Sequence, residues 1–243
     1  MALPVQSNKL PKITGQKSQA MRLHRKSAYD ALHSSQAGNH SPQQSSQLLN
    51  QAKRHIQQAL ELAMDDGDCL NLLARIELER GQPRDAERAI YHAIDVSPEN
   101  GGYWYSAGHV ALAQQDYTKA QIAFRHAIEY APKETRAEVS LAYTLAQDGQ
   151  LVEAFQHYRE LAKTQGKDLH IRSRLLQCAS QLTADFYDQE LEQDLLSYLQ
   201  WRNMNPNLLA SLTSSLLEHK FQLDKEGSAA QFDDMANCQL LLS

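Results

Sequence analysis

A chain of 243 residues with 42% hydrophobic side chains and only 7 prolines can bury a core along most of its length. No stretch approaches the roughly 18 consecutive apolar residues of a membrane span, and the basic N-terminus has no apolar run of signal-peptide type, so a cytoplasmic location is expected. Cys69, Cys178 and Cys238 are odd in number, far apart and outside any CxxC pair, which excludes a disulfide framework or a zinc ligand set; the first two read as buried small apolar residues.

In chain order, residues 1–15 read as a basic disordered arm. Residues 1–60 carry Lys9, Lys12, Lys17, Arg22, Arg25, Lys26, Lys53 and Arg54 against Asp30 alone, a local charge of +7, whereas the remainder carries -12. A basic arm on an acidic body steers toward acidic partners. It lacks the interleaved aromatics of a stacking surface, so nucleic acid is not the expected partner. Residues 16–35 predict a helix with Met21, Leu23, Ala28, Tyr29 and Leu32 as its apolar set, and residues 48–64 a second one built on Ala52, Ile56 and Ala59. Between them, Gly38, Asn39, Ser41, Pro42 and the polar run after it give residues 36–47 a loop composition. Residues 16–66 are thus expected to form a helix pair with an expanded loop, which costs little entropy at a surface.

From residue 67 a block repeats every 34 residues. Leu70, Ala74, Ala86, Ile90, Ala93 and Pro98 return as Trp104, Gly108, Ala120, Phe124, Ala127 and Pro132, and more loosely as Glu138, Ala142, Ala154, Tyr158, Leu161 and Gly166. The spacing predicts three helix-turn-helix units, 67–100, 101–134 and 135–168. Ala74, Gly108 and Ala142 let the second helix approach, Ala86, Ala120 and Ala154 do so from the other side, and Ile90, Phe124 and Tyr158 fill the space between pairs. Gly81 and Gly149 fall in turns where positive φ is useful, and Pro98 and Pro132 close the second helices. Residues 169–222 keep leucine stripes without the small residues: a helix over 169–182, another over 188–201 and a third opened by Pro206, read as a degenerate repeat and cap. Their leucine faces offer a surface for self-association. Residues 223–243 read as a linker and the start of a further helix.

The period and its small and bulky positions resemble the tetratricopeptide repeat (TPR). The resemblance implies an all-α, right-handed superhelical solenoid of stacked antiparallel helix pairs with a helical C-terminal cap, and a protein or peptide partner held on the concave face lined by the first helices. The groove residues it implies are Asn71, Arg75 and Leu78, then Tyr105, His109 and Leu112, then Arg136, Val139 and Tyr143, extended by Ser173 and Gln177. TPR domains that bind chaperone C-termini clamp a carboxylate with two lysines, two asparagines and an arginine. Here Tyr105, His109, Val139 and Ser140 stand where further clamp residues are wanted, so the expected partner is a segment of mixed apolar and acidic character. The helices of 190–200 and 206–220, with the unfinished one at 233–242, also loosely resemble the region before the catalytic domain in bacterial TPR-methyltransferase fusions. That second resemblance implies a recruitment region of a larger enzyme, with S-adenosylmethionine bound only by a domain beyond Ser243.

The chemistry of the chain points the same way. None of its 10 histidines stands in HExxH, no GxSxG occurs, and Gly15–Ser18 lacks the earlier glycine and strand of a phosphate loop. The acid pairs Asp65–Asp66 and Asp233–Asp234 suit helix starts. The expectation is therefore a non-catalytic scaffold with no catalytic, metal or cofactor site.

Overall fold

The computed structural model describes residues 15–182, apart from 39, 166, 167 and 180. The described residues form nine α-helices and no strand: α1 (Gly15–Gln36), α2 (Pro42–Leu62), α3 (Gly67–Glu79), α4 (Pro83–Val96), α5 (Gly101–Ala113), α6 (Tyr117–Tyr130), α7 (Thr135–Gln147), α8 (Leu151–Thr164) and α9 (Leu169–Ala179). The chain divides into two units, residues 1–137 and 138–243, with the division inside α7. Residues 1–14 of the expected arm, the expected helices of 188–201 and beyond Pro206, the tail from 223 and Cys238 lie outside the described residues. No helix among the described residues is long and apolar enough to cross a membrane.

The 34-residue period fixes both ends of every helix from α3 to α8: Gly67, Gly101 and Thr135 open the first helices, and Pro83, Tyr117 and Leu151 the second. Local chemistry explains the registration. Asp66 accepts from the Cys69 amide at 2.8 Å, Asn100 from Gly102 at 3.0 Å and Asp116 from Lys119 at 3.1 Å, each satisfying an amide that a helix start leaves free. The Lys119 amide, as the largest influence, also holds the Asp116 carboxyl below its ordinary pKa.

The helices α3, α5 and α7 end in the same turn, in which an amide reaches back five residues: Gln82 to the Glu77 carbonyl at 2.8 Å, Asp116 to Ala111 at 3.0 Å and Gln150 to Leu145 at 2.9 Å. The turn needs a left-handed residue, supplied by Gly81 (φ 71°) and Gly149 (φ 79°) as expected. In the middle repeat it is Gln115 (φ 59°), a side chain in a conformation that glycine adopts more cheaply.

The repeat positions are buried where the pattern places them. Ala74, Ala86, Ile90, Ala93, Ala120, Phe124, Ala142 and Ala154 are fully buried, and Tyr158 is 1% exposed. Gly108 shows why the small position is small: a Cβ there would meet Cδ1 and Cζ of Phe124 at 2.6 Å. In the first unit, Leu70, Ala74, Ile90, Tyr103 and Val110 belong to one core cluster, while Met21, Ala28, Leu32, Ala52, Ile56 and Ile76 belong to another that joins α1, α2 and α3. In the second unit, Leu145, Phe155, Ile171, Leu175 and Leu176 are buried.

Two expected boundaries are corrected. The loop predicted over 36–47 is shorter, because α2 starts at Pro42. Ser41 caps it in a reciprocal box, its hydroxyl accepting from the Gln44 amide at 3.3 Å and its amide donating to Gln44 Oε1 at 2.9 Å, and Pro42 suits the first turn. The polar run is thus a solvent-facing helical stretch with its own start signal. At the other end, α9 is described as Leu169–Ala179, and Gln181 and the expected last residue, Leu182, are not helical.

Candidate functional site

The helices α1 and α3 form the walls of a cleft of about 390 Å³ in the first unit. Arg22, Arg25, Lys26 and Tyr29 line it from α1, and Asp68, Asn71, Leu72 and Arg75 from α3. Both sets follow the spacing i, i+3, i+4, i+7, one face of a helix each. On α1 this face is distinct from Met21, Ala28 and Leu32, which are buried in the core. Arg25 is neutralised in place, donating to Asp68 at 2.9 Å and lying 3.6 Å from Asp66. The Tyr103 hydroxyl also donates to Asp68, at 2.9 Å, and burial followed by that bond pushes its pKa above the ordinary phenol range. Arg22, Lys26 and Arg75 pair with no carboxylate among the described residues. Asn71 Oδ1 is buried and has no hydrogen-bond donor among the described residues.

A second cleft of the first unit, about 410 Å³, is lined by Glu99, Asn100, Tyr105, Tyr130, Glu134 and Arg136 among others. Its one arginine is engaged: Arg136 Nε donates to Glu134 at 3.0 Å, a second guanidinium nitrogen pairs with the same carboxylate, and the guanidinium lies 5.5 Å from the Tyr105 ring centroid. Tyr105 in turn meets His109 edge-on at 4.6 Å and Phe124 at 5.9 Å. His109 is held below the ordinary imidazole pKa by burial.

In the second unit a smaller cavity of about 70 Å³ is lined by Tyr143, Tyr158, Arg174, Gln177 and Cys178 among others, with Arg174 stacked 5.1 Å above Tyr143 and donating to Gln177 at 3.2 Å.

The structure thus brings Asn71 and Arg75 together in the first cleft, Tyr105 and Arg136 in the second, and Tyr143 and Gln177 in the third. His109 is a partner of Tyr105 and of the Phe124 ring, and Leu78 packs on the core, so both serve packing as well. Leu112, Val139 and Ser173 are half-buried and line none of these clefts.

The repeat pattern missed Arg22, Arg25, Lys26 and Tyr29. One period before Asp68, Asn71, Leu72 and Arg75 lie Ser34, Ala37, Gly38 and Ser41, at the end of α1 and in the connection to α2, whereas the α1 stripe that lines the cleft lies twelve residues earlier. The four-residue face itself is visible in the sequence, as three cations and a tyrosine in helical spacing.

Other chemistry is limited. Burial pushes the Cys69 thiol up to about 12, with its bond to Asp66 adding to this, and burial pushes Cys178 to about 11, as inert core residues. Among the described residues no group of three His, Cys, Asp or Glu side chains is placed to hold a metal.

The family profile of the tetratricopeptide repeat matches residues 71–120 and 105–168. No curated protein matches the sequence. Among solved structures the chain is similar to pilF of Pseudomonas aeruginosa, with TM-score 0.65 and 17% identity over 91% of this chain and 99% of that one. It is similar to a thermophilic TPR protein of Thermus thermophilus, with TM-score 0.52 and 16% identity over 83% and 99%. It also resembles part of a mutant O-GlcNAc transferase of Thermobaculum terrenum, with TM-score 0.53 and 20% identity over 62% of this chain and 27% of that one. At such identities the likenesses show the fold alone.

Proposed function

We propose, from the premise that this chain is a tetratricopeptide-repeat protein, that it is a non-catalytic scaffold whose first-helix faces capture a protein or peptide segment. The observation that carries this reading is a register. Asn71 and Arg75, Tyr105 and His109, Val139 and Tyr143, and Ser173 and Gln177 recur at the same two positions of successive first helices, and all eight are half-buried or exposed. Ala74, Gly108 and Ala142, on another side of the same helices, are buried. Arginine, tyrosine and histidine at half-buried positions offer area with a directional polar tip, which suits a binding surface.

The test is affinity capture with the wild-type chain and with Arg75→Ala, Tyr105→Ala and Tyr143→Ala combined. Helicity by circular dichroism is expected to stay, and captured partner to be lost; unchanged capture overturns the reading. The same proposal places this capture in the cytoplasm, which fractionation of the native cell checks.

A second reading, a recruitment region of a larger enzyme such as a methyltransferase, draws on the loose resemblance of the leucine-rich sequence at 190–200 and 206–220 to the region before the catalytic domain in TPR-methyltransferase fusions. Coding sequence continuing past Ser243 into a glycine-rich strand-turn-helix favours it, and a stop codon there removes it.

A further inference from the structure

We infer that the cleft between α1 and α3 is an anchoring site for an extended acidic peptide segment of the partner. This rests on the scaffold reading and adds to it the residues of α1, the site's position and the chemistry of its ligand.

The argument begins with charge. Arg22 and Lys26 from one wall and Arg75 from the other are drawn into one cleft, and the acid present, Asp68, is already engaged by Arg25 and by the Tyr103 hydroxyl. Three cations without a carboxylate among the described residues repel one another. A ligand bearing carboxylates relieves that repulsion and gains charge-assisted hydrogen bonds, bidentate ones at the two arginines. The second cleft differs here, because Glu134 takes up Arg136 and Glu99 adds another acid. Charge complementarity therefore selects the first cleft for the acidic part of a ligand and leaves the second to less charged residues.

Tyr29 favours a peptide over a simple anion. A peptide brings side-chain carboxylates to Arg22, Lys26 and Arg75 on a chain whose apolar side chains can lie against the Tyr29 ring, whereas a phosphate offers charge alone. Tyr29, 45% exposed, adds an apolar surface beside them.

The experiment uses the full 243-residue chain and fluorescence anisotropy of a labelled peptide in which glutamates alternate with leucine and serine. Saturable binding is expected, weakening at least about tenfold when every glutamate is replaced by glutamine, and falling with added salt because exposed cations are screened. A similar loss is expected for the triple variant Arg22→Gln, Lys26→Gln and Arg75→Gln. Glutamine keeps the helix propensity of these positions, and circular dichroism with Tm checks that the fold stands. Failure of the acidic peptide to bind, equal binding of the two peptides, or an unaffected triple variant overturns the proposal. Displacement by inorganic phosphate as effective as by unlabelled peptide overturns it in favour of a general anion site, and cosedimentation with phosphatidylglycerol vesicles in place of peptide binding does so in favour of a membrane surface. If the triple variant matches wild type in this assay while the Tyr105 and Tyr143 substitutions still abolish partner capture, the cleft is lost and the scaffold reading stands.

Discussion

The first helix pair and the pairs that follow it solve the same packing problem by different means. In α3–α4 and α5–α6 the helices are 13 and 14 residues long, joined by a turn around a left-handed residue and held close by Ala74, Ala86, Gly108 and Ala120. In α1–α2 they are 22 and 21 residues long and joined through a capped polar connection. Their attachment to α3 includes polar bonds: Arg25 to Asp66 and Asp68, Lys53 to the buried Glu77 at 2.7 Å, and Gln36 to Glu79 at 2.6 Å. At the register of Glu77 the later repeats carry Ala111 and Leu145, both buried. A strict repeat sets its geometry by steric fit. The end pair adds length and ion pairs to an apolar core of its own, in which Ala28, Ala52, Ile56 and Ala59 are fully buried, and it carries a charged stripe on α1.

The sharpest way to break the strict half of this comparison is Gly108→Ala. The added methyl collides with the Phe124 ring, which has no room to move in a fully buried site, and a loss of about 2–3 kcal/mol is expected. Urea unfolding measures it, and a neutral result would mean that steric closeness does not set this pair.

On the other side of the comparison stands Glu77→Ala, which removes the one buried acid between Lys53 and Arg80. Both cations are about a quarter exposed and can turn to water, so the cost is expected at about 2 kcal/mol, below that of a wholly buried pair. Ser41→Ala removes the reciprocal cap of α2 at about 1 kcal/mol, and its readout is a fall in Tm.

Gln115→Gly puts at this left-handed position the glycine that the flanking repeats have, and a gain of about 0.5–1 kcal/mol is expected by the same unfolding measurement. The smallest effect is in acid. The folded-state pKa of His109 is depressed by burial, so the unfolded chain takes up its proton first, near pH 6.5. Stability is therefore full above that pH and falls as pH drops below it toward the folded pKa. Unfolding curves across this window are expected to flatten in His109→Gln.

The helix boundaries between residues 67 and 164 were legible from six positions per repeat, because each small or bulky residue reports one local contact that recurs. Burial of Cys69 and Cys178 was legible from their wide separation and the lack of any CxxC pair. The start of α2 was hidden by composition, since a run of serine and glutamine reads as loop until Ser41 and Gln44 are seen to cap one another. Among the candidate-site residues, Asn71, Arg75, Tyr105 and Tyr143 follow from the resemblance to the repeat family, whose first helices line the concave face. Arg22, Lys26 and Tyr29 do not, because the period lands on the end of α1 and the connection to α2 instead of on the α1 stripe that lines the cleft.

By itself the sequence determined the repeat, its turns and the positions that must be small, since these depend on backbone conformation and on contacts at fixed spacing along the chain. Only the tertiary structure decided that an arginine stripe from α1 and an asparagine and arginine from α3 share one cleft. Their separation along the chain obeys no period, and the packing of α1 on α3, through a shared apolar core and the ion pairs of Arg25, brings them together.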